Sequence, residues 1–343
     1  MLFMGSGQHE AAQASLRTLE EHRALFDDAR ACFFGITIDP SDPVTGRIAQ
    51  ELPGIRWFLD FDRKVSAAYG AVEEGELVPG EPTGYAAHWL LLDPSLRVVA
   101  RAPLTAGGAI MAELEQCLRQ QQSPDTGNAP VLIVPNVLPR ELCRRLIDLY
   151  DQQGGTRSGF MREENGITVT KVDPEHKRRS DCTITDPALL GELRSHLADV
   201  LKPMIMRAFQ FDATRIERWI VACYDGGERG HFRAHRDNTT KGTAHRKFAC
   251  TINLNAEAYD GGDLCFPEFG QRTYRAPTGG AVIFSCSLLH EARPVTRGRR
   301  YAFLPFLYDD AGARLRERNL AFVSPELQNY RSGLPPLEDT AQP

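Results

Sequence analysis

The sequence contains no apolar run near the ~20 residues that a membrane helix needs, and no basic stretch precedes an apolar one at its start. Neither a membrane span nor a secretory signal is therefore expected. Positive charge is not in excess. Forty Lys and Arg stand against 45 Asp and Glu, a formal charge of -5, so no basic field exists to hold nucleic acid or an anionic membrane. The eight cysteines form no CxxC pair and mostly lie inside apolar runs, which excludes a zinc ribbon and a disulfide framework. That usage points to reduced, buried thiols in a cytoplasmic protein. There is no internal repeat and no low-complexity tract. With 42% hydrophobic and 25% charged residues, a mostly disordered chain, a collagen-like chain and a coiled coil are also excluded.

What is present divides in two, as 343 residues suggest. The first third alternates strand and helix. A short apolar run, Met1–Met4, precedes a helix over 11–29 with Leu16, Leu19, Leu25 and Phe26 at helical spacing. Ala31–Ile38 reads as a buried strand, with Cys32 inside it as a small hydrophobe. Trp57–Leu59 and His88–Leu92 are further strands, and Gly107–Gln121 is a helix. Such alternation implies an α/β domain over 1–120. Residues 121–130 have little to bury and form a linker.

Beyond it lies a domain over 131–310. Val131–Val134 is a strand, Pro139–Tyr150 a helix, and 187–201 a longer helix that should end or kink at Pro203. Helix signals then stop. Short strands are expected at Trp219–Tyr224, Phe248–Leu254, Leu264–Phe266, Arg272–Tyr274, Ala281–Ser285 and Tyr301–Leu307, separated by Gly-Gly turns. Many short strands with such turns imply a β-sandwich or jelly roll. Pro305 makes the last strand an edge or a bulge. Residues 311–343 read as an aperiodic tail.

The residues that carry chemistry lie among these strands. In YDGGERGHFRAHRDN, His235 and Asp237 are two apart, a spacing that puts both side chains on one face of a strand. His290 follows a buried run. Two histidines and one carboxylate make the facial triad of non-haem iron oxygenases, which leaves three coordination positions open. Arg300 stands in HEARPVTRGRRY. A guanidinium grips a carboxylate through paired charge-assisted bonds, as the distal end of 2-oxoglutarate requires. Arg299 competes for that role. His231 and His235 have a helical zinc spacing, but residue 232 is Phe and the nearby glycines oppose a helix. His245 falls in a polar loop and should face solvent or substrate.

These stretches resemble the 2-oxoglutarate/Fe(II) dioxygenase superfamily, in its prolyl 4-hydroxylase-like branch. VLIVPNVLPRELCRRLIDLY, the run from Tyr224 to Asp237, GGDLCF at 261–266 and HEARPVTRGRRYA at 290–302 carry the resemblance. It implies a double-stranded β-helix, a cupin-like jelly roll, behind N-terminal helices. It also implies iron held by His235, Asp237 and His290, with 2-oxoglutarate bound by Arg300, Tyr224 and, on the next strand, Asn253. The implied activity is hydroxylation of a prolyl residue in a protein or of a small molecule, using Fe(II), 2-oxoglutarate and O2, with ascorbate as reductant. Asp237 separates the chain from related halogenases, which lose that carboxylate.

Residues 1–120 resemble the peroxiredoxin (AhpC/TSA-like) branch of the thioredoxin fold through MLFMGSG, ACFFGITIDPSDP, FLDFDRKVSAAYGA and WLLLDPSLRVVAR. The position of the peroxidatic cysteine reads GSGQHEAAQASL, without cysteine. A non-catalytic domain for partner binding or substrate presentation is expected. The alternative for the whole chain is an iron-binding sensor or interaction protein that keeps both folds without turnover.

Overall fold

The computed structural model describes residues 1–28, 30–72, 84–94, 96–121 and 127–334. The central part of the expected linker and the last nine residues of the expected tail lie outside the described residues. The chain forms two compact units, Met1–Asp125 and Thr126–Pro343.

In the first unit, five strands make one sheet: β1 Leu2–Gly5, β2 Phe33–Thr37, β3 Ile55–Leu59, β4 His88–Leu92 and β5 Val98–Pro103, in the order β3-β2-β1-β4-β5. Pairs β1–β2 and β2–β3 are parallel, whereas β1–β4 and β4–β5 are antiparallel. Strand β1 is buried on both faces. Leu2 and Met4 pack with Ala12, Leu19, Ile110 and Met111 from the helices Glu10–Glu21 and Gly107–Gln121, and Phe3 packs with Ile36 and Leu90 on the other side. Alternation along an extended strand produces this division. The first helix is shorter than the sequence suggests. It stops at Glu21, and the 3-10 turn Arg23–Leu25 follows. Cys32 is a correction too. It is exposed, one residue ahead of β2, and its Sγ donates to Asp28 Oδ1 at 3.3 Å.

The second unit is a two-sheet jelly roll. The larger sheet runs Arg215–Glu217, Phe306–Tyr308, Phe248–Asn253, Arg299–Phe303, Ile220–Asp225, Ser180–Thr183 and Thr156–Arg157, with Ala281–Ser285 joined to Phe248–Asn253 and Leu132–Val134 joined in turn to Ala281–Ser285. The smaller sheet runs Lys177–Arg178, His231–His235, His290–Ala292, Leu264–Cys265 and Thr273–Tyr274. Period-2 alternation divides each long strand. Val221, Cys223, Ile252 and Phe303 meet Leu142, Leu146, Leu193 and Ile205 from three helices on the outer face. Ala222, Tyr224, Ala249, Arg300 and Ala302 are buried on the opposite side, where the cavity lies.

Three sequence expectations change here. The helix expected over 187–201 does not end at Pro203. Helix Pro187–His196 passes through a π-helical stretch, Leu197–Leu201, into helix Lys202–Phe209. The proline then occupies the first turn of the last segment, where its missing N–H is cheapest. The strand expected over Tyr301–Leu307 is two strands, Arg299–Phe303 and Phe306–Tyr308, broken at Pro305. Both pair with Phe248–Asn253, and Cys250 N–H donates to the Pro305 carbonyl at 3.1 Å. The expected tail opens with a helix, Asp310–Arg318, capped by Asp309, whose side chain accepts from Gly312 N–H.

Candidate metal centre

His235 ends its strand and lies directly opposite His290 in the antiparallel register of the smaller sheet. A bulge between Phe232 and His235 precedes the pairing and re-aims the end of the strand. Asp237 lies just past the strand, and its N–H donates to the Cys286 carbonyl at 3.0 Å. The three side chains converge, with one ligand atom from each within 4.8 Å of the others. Asp237 Oδ1 is 3.5 Å from His235 Nε2, and Oδ2 is 3.3 Å from His290 Nε2.

Each imidazole is held from behind. His235 Nδ1 lies 2.7 Å from the Arg233 carbonyl, and His290 Nδ1 lies 3.0 Å from the Leu288 carbonyl. A carbonyl only accepts, so Nδ1 carries the proton and Nε2 keeps its lone pair, the arrangement found in metal-binding histidines. Burial, and after it the neighbouring His290, pushes His235 down to about 4. The ring is therefore neutral at pH 7 and able to ligate. Burial opposes ionisation of Asp237, but the two histidines outweigh it and hold the carboxyl well below its usual range. Two imidazoles and one carboxylate on one side of a cavity suit a divalent iron ion with open positions.

The cavity beside them, about 470 Å³ and open to solvent, extends to the larger sheet. Arg300 and Tyr224, directly paired in register, line its far wall. Arg300 is 2% exposed, and its Nε and Nη1 have no acceptor within the protein. Its guanidinium carbon lies 4.9 Å from the Tyr224 ring centre. A buried cation with idle donors is costly unless a ligand satisfies it. Gly262 backs this arginine at a φ of +70°, and a Cβ there would come within 2.7 Å of Val295 and 3.2 Å of Arg300 Cδ. Arg299 faces the other way. Its side chain is 59% exposed and pairs with Asp225 at 2.9 Å.

Other sequence expectations land elsewhere. Asn253 is buried, but it donates to the Ala276 carbonyl at 2.7 Å and borders a smaller void of about 160 Å³ that also touches Arg300. Thr251, two residues earlier on the same face, lines the main cavity instead. His231 sits on a strand and bonds to the Arg229 carbonyl, well outside the triad. His245 is fully buried rather than exposed, because its Nε2 lies 2.6 Å from Glu217 Oε2 and Arg246 pairs with the same carboxylate at 2.8 Å. Sequence reasoning missed Arg179 and Arg218, which also line the cavity. The run KRRSD at 177–181 reads as a solvated patch, although Lys177 and Arg179 are only 5% and 4% exposed.

Residues 219–308 match the 2OG-Fe(II) oxygenase superfamily. The match spans the strand bearing Tyr224, all three converging residues and Arg300. A PKHD-type hydroxylase of Verminephrobacter eiseniae is 35% identical over 122 residues, 29% of this chain and 54% of that protein. A PKHD-type hydroxylase of Acinetobacter baumannii is 28% identical over 184 residues, 49% of this chain and 74% of that protein. The chain thus spans about half the length of the first of these relatives. A solved prolyl hydroxylase from Trichoplax adhaerens, in complex with a peptide fragment of hypoxia inducible factor, has a TM-score of 0.41 at 18% identity, covering 59% of this chain and 94% of that one.

Proposed function

We propose that the protein is an Fe(II)- and 2-oxoglutarate-dependent dioxygenase that couples decarboxylation of 2-oxoglutarate to hydroxylation of a C–H bond. The observation that carries this reading is a pair of features on one cavity. His235, Asp237 and His290 converge on one wall, and a buried arginine with idle donors stands on the other. Bound iron would supply oxygen activation, with one oxygen atom going to succinate and the other to the product. The chain's own residues do the rest. His235 and His290 present Nε2, Asp237 supplies negative charge, and Arg300 clamps the distal carboxylate of 2-oxoglutarate, with Tyr224 beside it. The apolar walls formed by Phe232, Leu264 and Phe284 limit water at the reacting centre.

The substrate class is a prolyl residue of a protein or a small molecule, and ascorbate is the expected reductant. The N-terminal unit reads as a reduced thioredoxin-like domain without thiol chemistry, serving partner binding or substrate presentation. No helix among the described residues is long and apolar enough to cross a membrane, and a cytoplasmic location fits the unpaired thiols. Succinate formation from 2-oxoglutarate by the anaerobically iron-loaded protein, measured on admitting O2, tests the reading. Iron retained with no 2-oxoglutarate consumption under any condition would favour the sensor alternative.

A further inference from the structure

The same cavity holds more positive charge than iron and 2-oxoglutarate chemistry uses. Three arginines, Arg179, Arg218 and Arg300, line it, and Asp237 is the one carboxylate among the lining residues. On the reading above, Asp237 faces the metal and Arg300 the co-substrate. Arg179 and Arg218 remain, and both lean on one carboxylate, Asp181, whose Oδ2 accepts from Arg179 Nη2 at 2.7 Å and from Arg218 Nη2 at 3.3 Å. Two cations against one anion leave a net positive charge. Lys177 stands close behind, donating from Nζ to Ser158 Oγ at 2.7 Å and to the Gly159 carbonyl at 2.6 Å, and burial beside the arginines pushes its ammonium well below the usual lysine range.

Arg179 spends Nη1 on the Tyr224 hydroxyl at 3.3 Å and Nη2 on Ser158 Oγ and Asp181, which leaves one of its donor nitrogens open. Arg179 is 4% exposed, and its buried Nε has no acceptor in the protein. Arg218 makes a single hydrogen bond, the long one to Asp181, and reaches the cavity from a left-handed backbone with φ +70°. A non-glycine residue in that region is strained, and such strain persists where the surrounding structure enforces it, often at ligand sites. Burial, and then Arg179, pushes the Arg218 guanidinium down to about 10, although the carboxylates of Asp181 and Glu217 oppose the shift.

We propose that the substrate carries a carboxylate, held by Arg179 and Arg218, so that the hydroxylated molecule is a small carboxylic acid rather than an uncharged prolyl residue within a peptide chain. This rests on the dioxygenase reading for the chemistry but on its own residues for the binding. A neutral peptide amide would leave the excess of positive charge over Asp181 uncompensated at this wall, which is costly. A carboxylate satisfies two planar forks with charge-assisted bonds.

The test uses matched pairs. Each free amino acid, L-proline included, is titrated calorimetrically into the full chain loaded anaerobically with Fe(II) and 2-oxoglutarate, alongside its carboxamide. At least one acid should bind at least about tenfold more tightly than its amide, a step of about 1.4 kcal/mol. That preference should disappear in Arg218→Asn, chosen because Asn tolerates a left-handed backbone, and return in part in Arg218→Lys. The same acid should stimulate succinate formation. Equal affinity for every acid and amide overturns the proposal, as does a preference that survives in Arg218→Asn, or a peptide with an internal proline binding as tightly as the best acid. An acid preference without succinate formation under any condition would instead sink the dioxygenase reading and leave the anion subsite standing.

Discussion

Replacing Arg300 with methionine should leave the stability of the ligand-free protein almost unchanged and weaken 2-oxoglutarate binding. In the ligand-free protein the arginine is a buried cation with Nε and Nη1 unpartnered, so its removal deletes an uncompensated charge. Exchanging such a charge for an apolar group of similar volume is often neutral or stabilising. The main loss is the stacking on Tyr224, about 2 kcal/mol at a desolvated site, which the relieved burial of the charge offsets. Net stability should therefore change by no more than about 1 kcal/mol, or a shift of about 2–4 °C in a unit of this size. Ligand binding should respond otherwise. Truncating one partner of a buried charge pair costs ~2–5 kcal/mol, and at 2% exposure solvent screening offers little discount. At a 2-oxoglutarate concentration of about 100 times its wild-type dissociation constant, binding stabilises the native protein by about 2.7 kcal/mol. Even the low end of the cost, a rise of roughly 30-fold in the dissociation constant, cuts that to about 1 kcal/mol.

Thermal unfolding of the metal-loaded, anaerobic protein with and without 2-oxoglutarate reads both quantities. The expected pattern is an almost unchanged midpoint without ligand and a ligand-induced shift reduced to less than half. Arg299→Met serves as the register control. Arg299 is largely exposed and pairs on the surface, so its loss should cost well under 1 kcal/mol and leave the ligand shift intact. A ligand shift retained in Arg300→Met but lost in Arg299→Met would refute the assignment. A ligand-free destabilisation above about 2 kcal/mol in Arg300→Met would show instead that the arginine is structurally satisfied.

His235→Ala, Asp237→Ala or His290→Ala should each abolish 2-oxoglutarate turnover and lower iron stoichiometry below one per chain while circular dichroism stays native. Full turnover in any one removes that residue from the metal set. Chelation of the wild-type metal should stop turnover, and added Fe(II) should restore it. The thiol of Cys32 is pushed up to about 11, by desolvation first and then by its hydrogen bond to Asp28. Alkylation by iodoacetamide at pH 7.5 should accordingly be slower than for free cysteine, and the protein should reduce no peroxide. Glu217→Gln leaves Arg246 buried without its carboxylate and should destabilise the second unit by about 3–5 kcal/mol in denaturant unfolding. A loss below 1 kcal/mol would mean the cluster is not a structural anchor.

Most strand positions, and the convergence of His235, Asp237 and His290, were legible because they depend on local spacing. Asp237 lies past the strand and not on its face as the spacing suggests, but a two-residue period along Arg299–Phe303 does send Arg300 and Ala302 inward while Tyr301 and Phe303 meet the helices. The helix Asp310–Arg318 was locally signalled as well, by the Asp309 cap and by Arg316 and Arg318 in its last turn. Its charged sequence concealed it. The buried ionic residues were illegible for a different reason. Arg179 is buried because Asp181 pairs with it and Tyr224, 45 positions away, is brought to it by strand pairing, and His245 because Glu217 waits 28 positions upstream. A charged residue in a polar stretch gives no local sign of such partners, since burial of charge follows from pairing and not from hydropathy. The metal centre needs only residues close to one strand pair, so its pattern survives in the sequence. The wall that bears Arg179 and Arg218 is assembled from segments that link strands far apart in the chain, so its charge is expressed only once the sheets close.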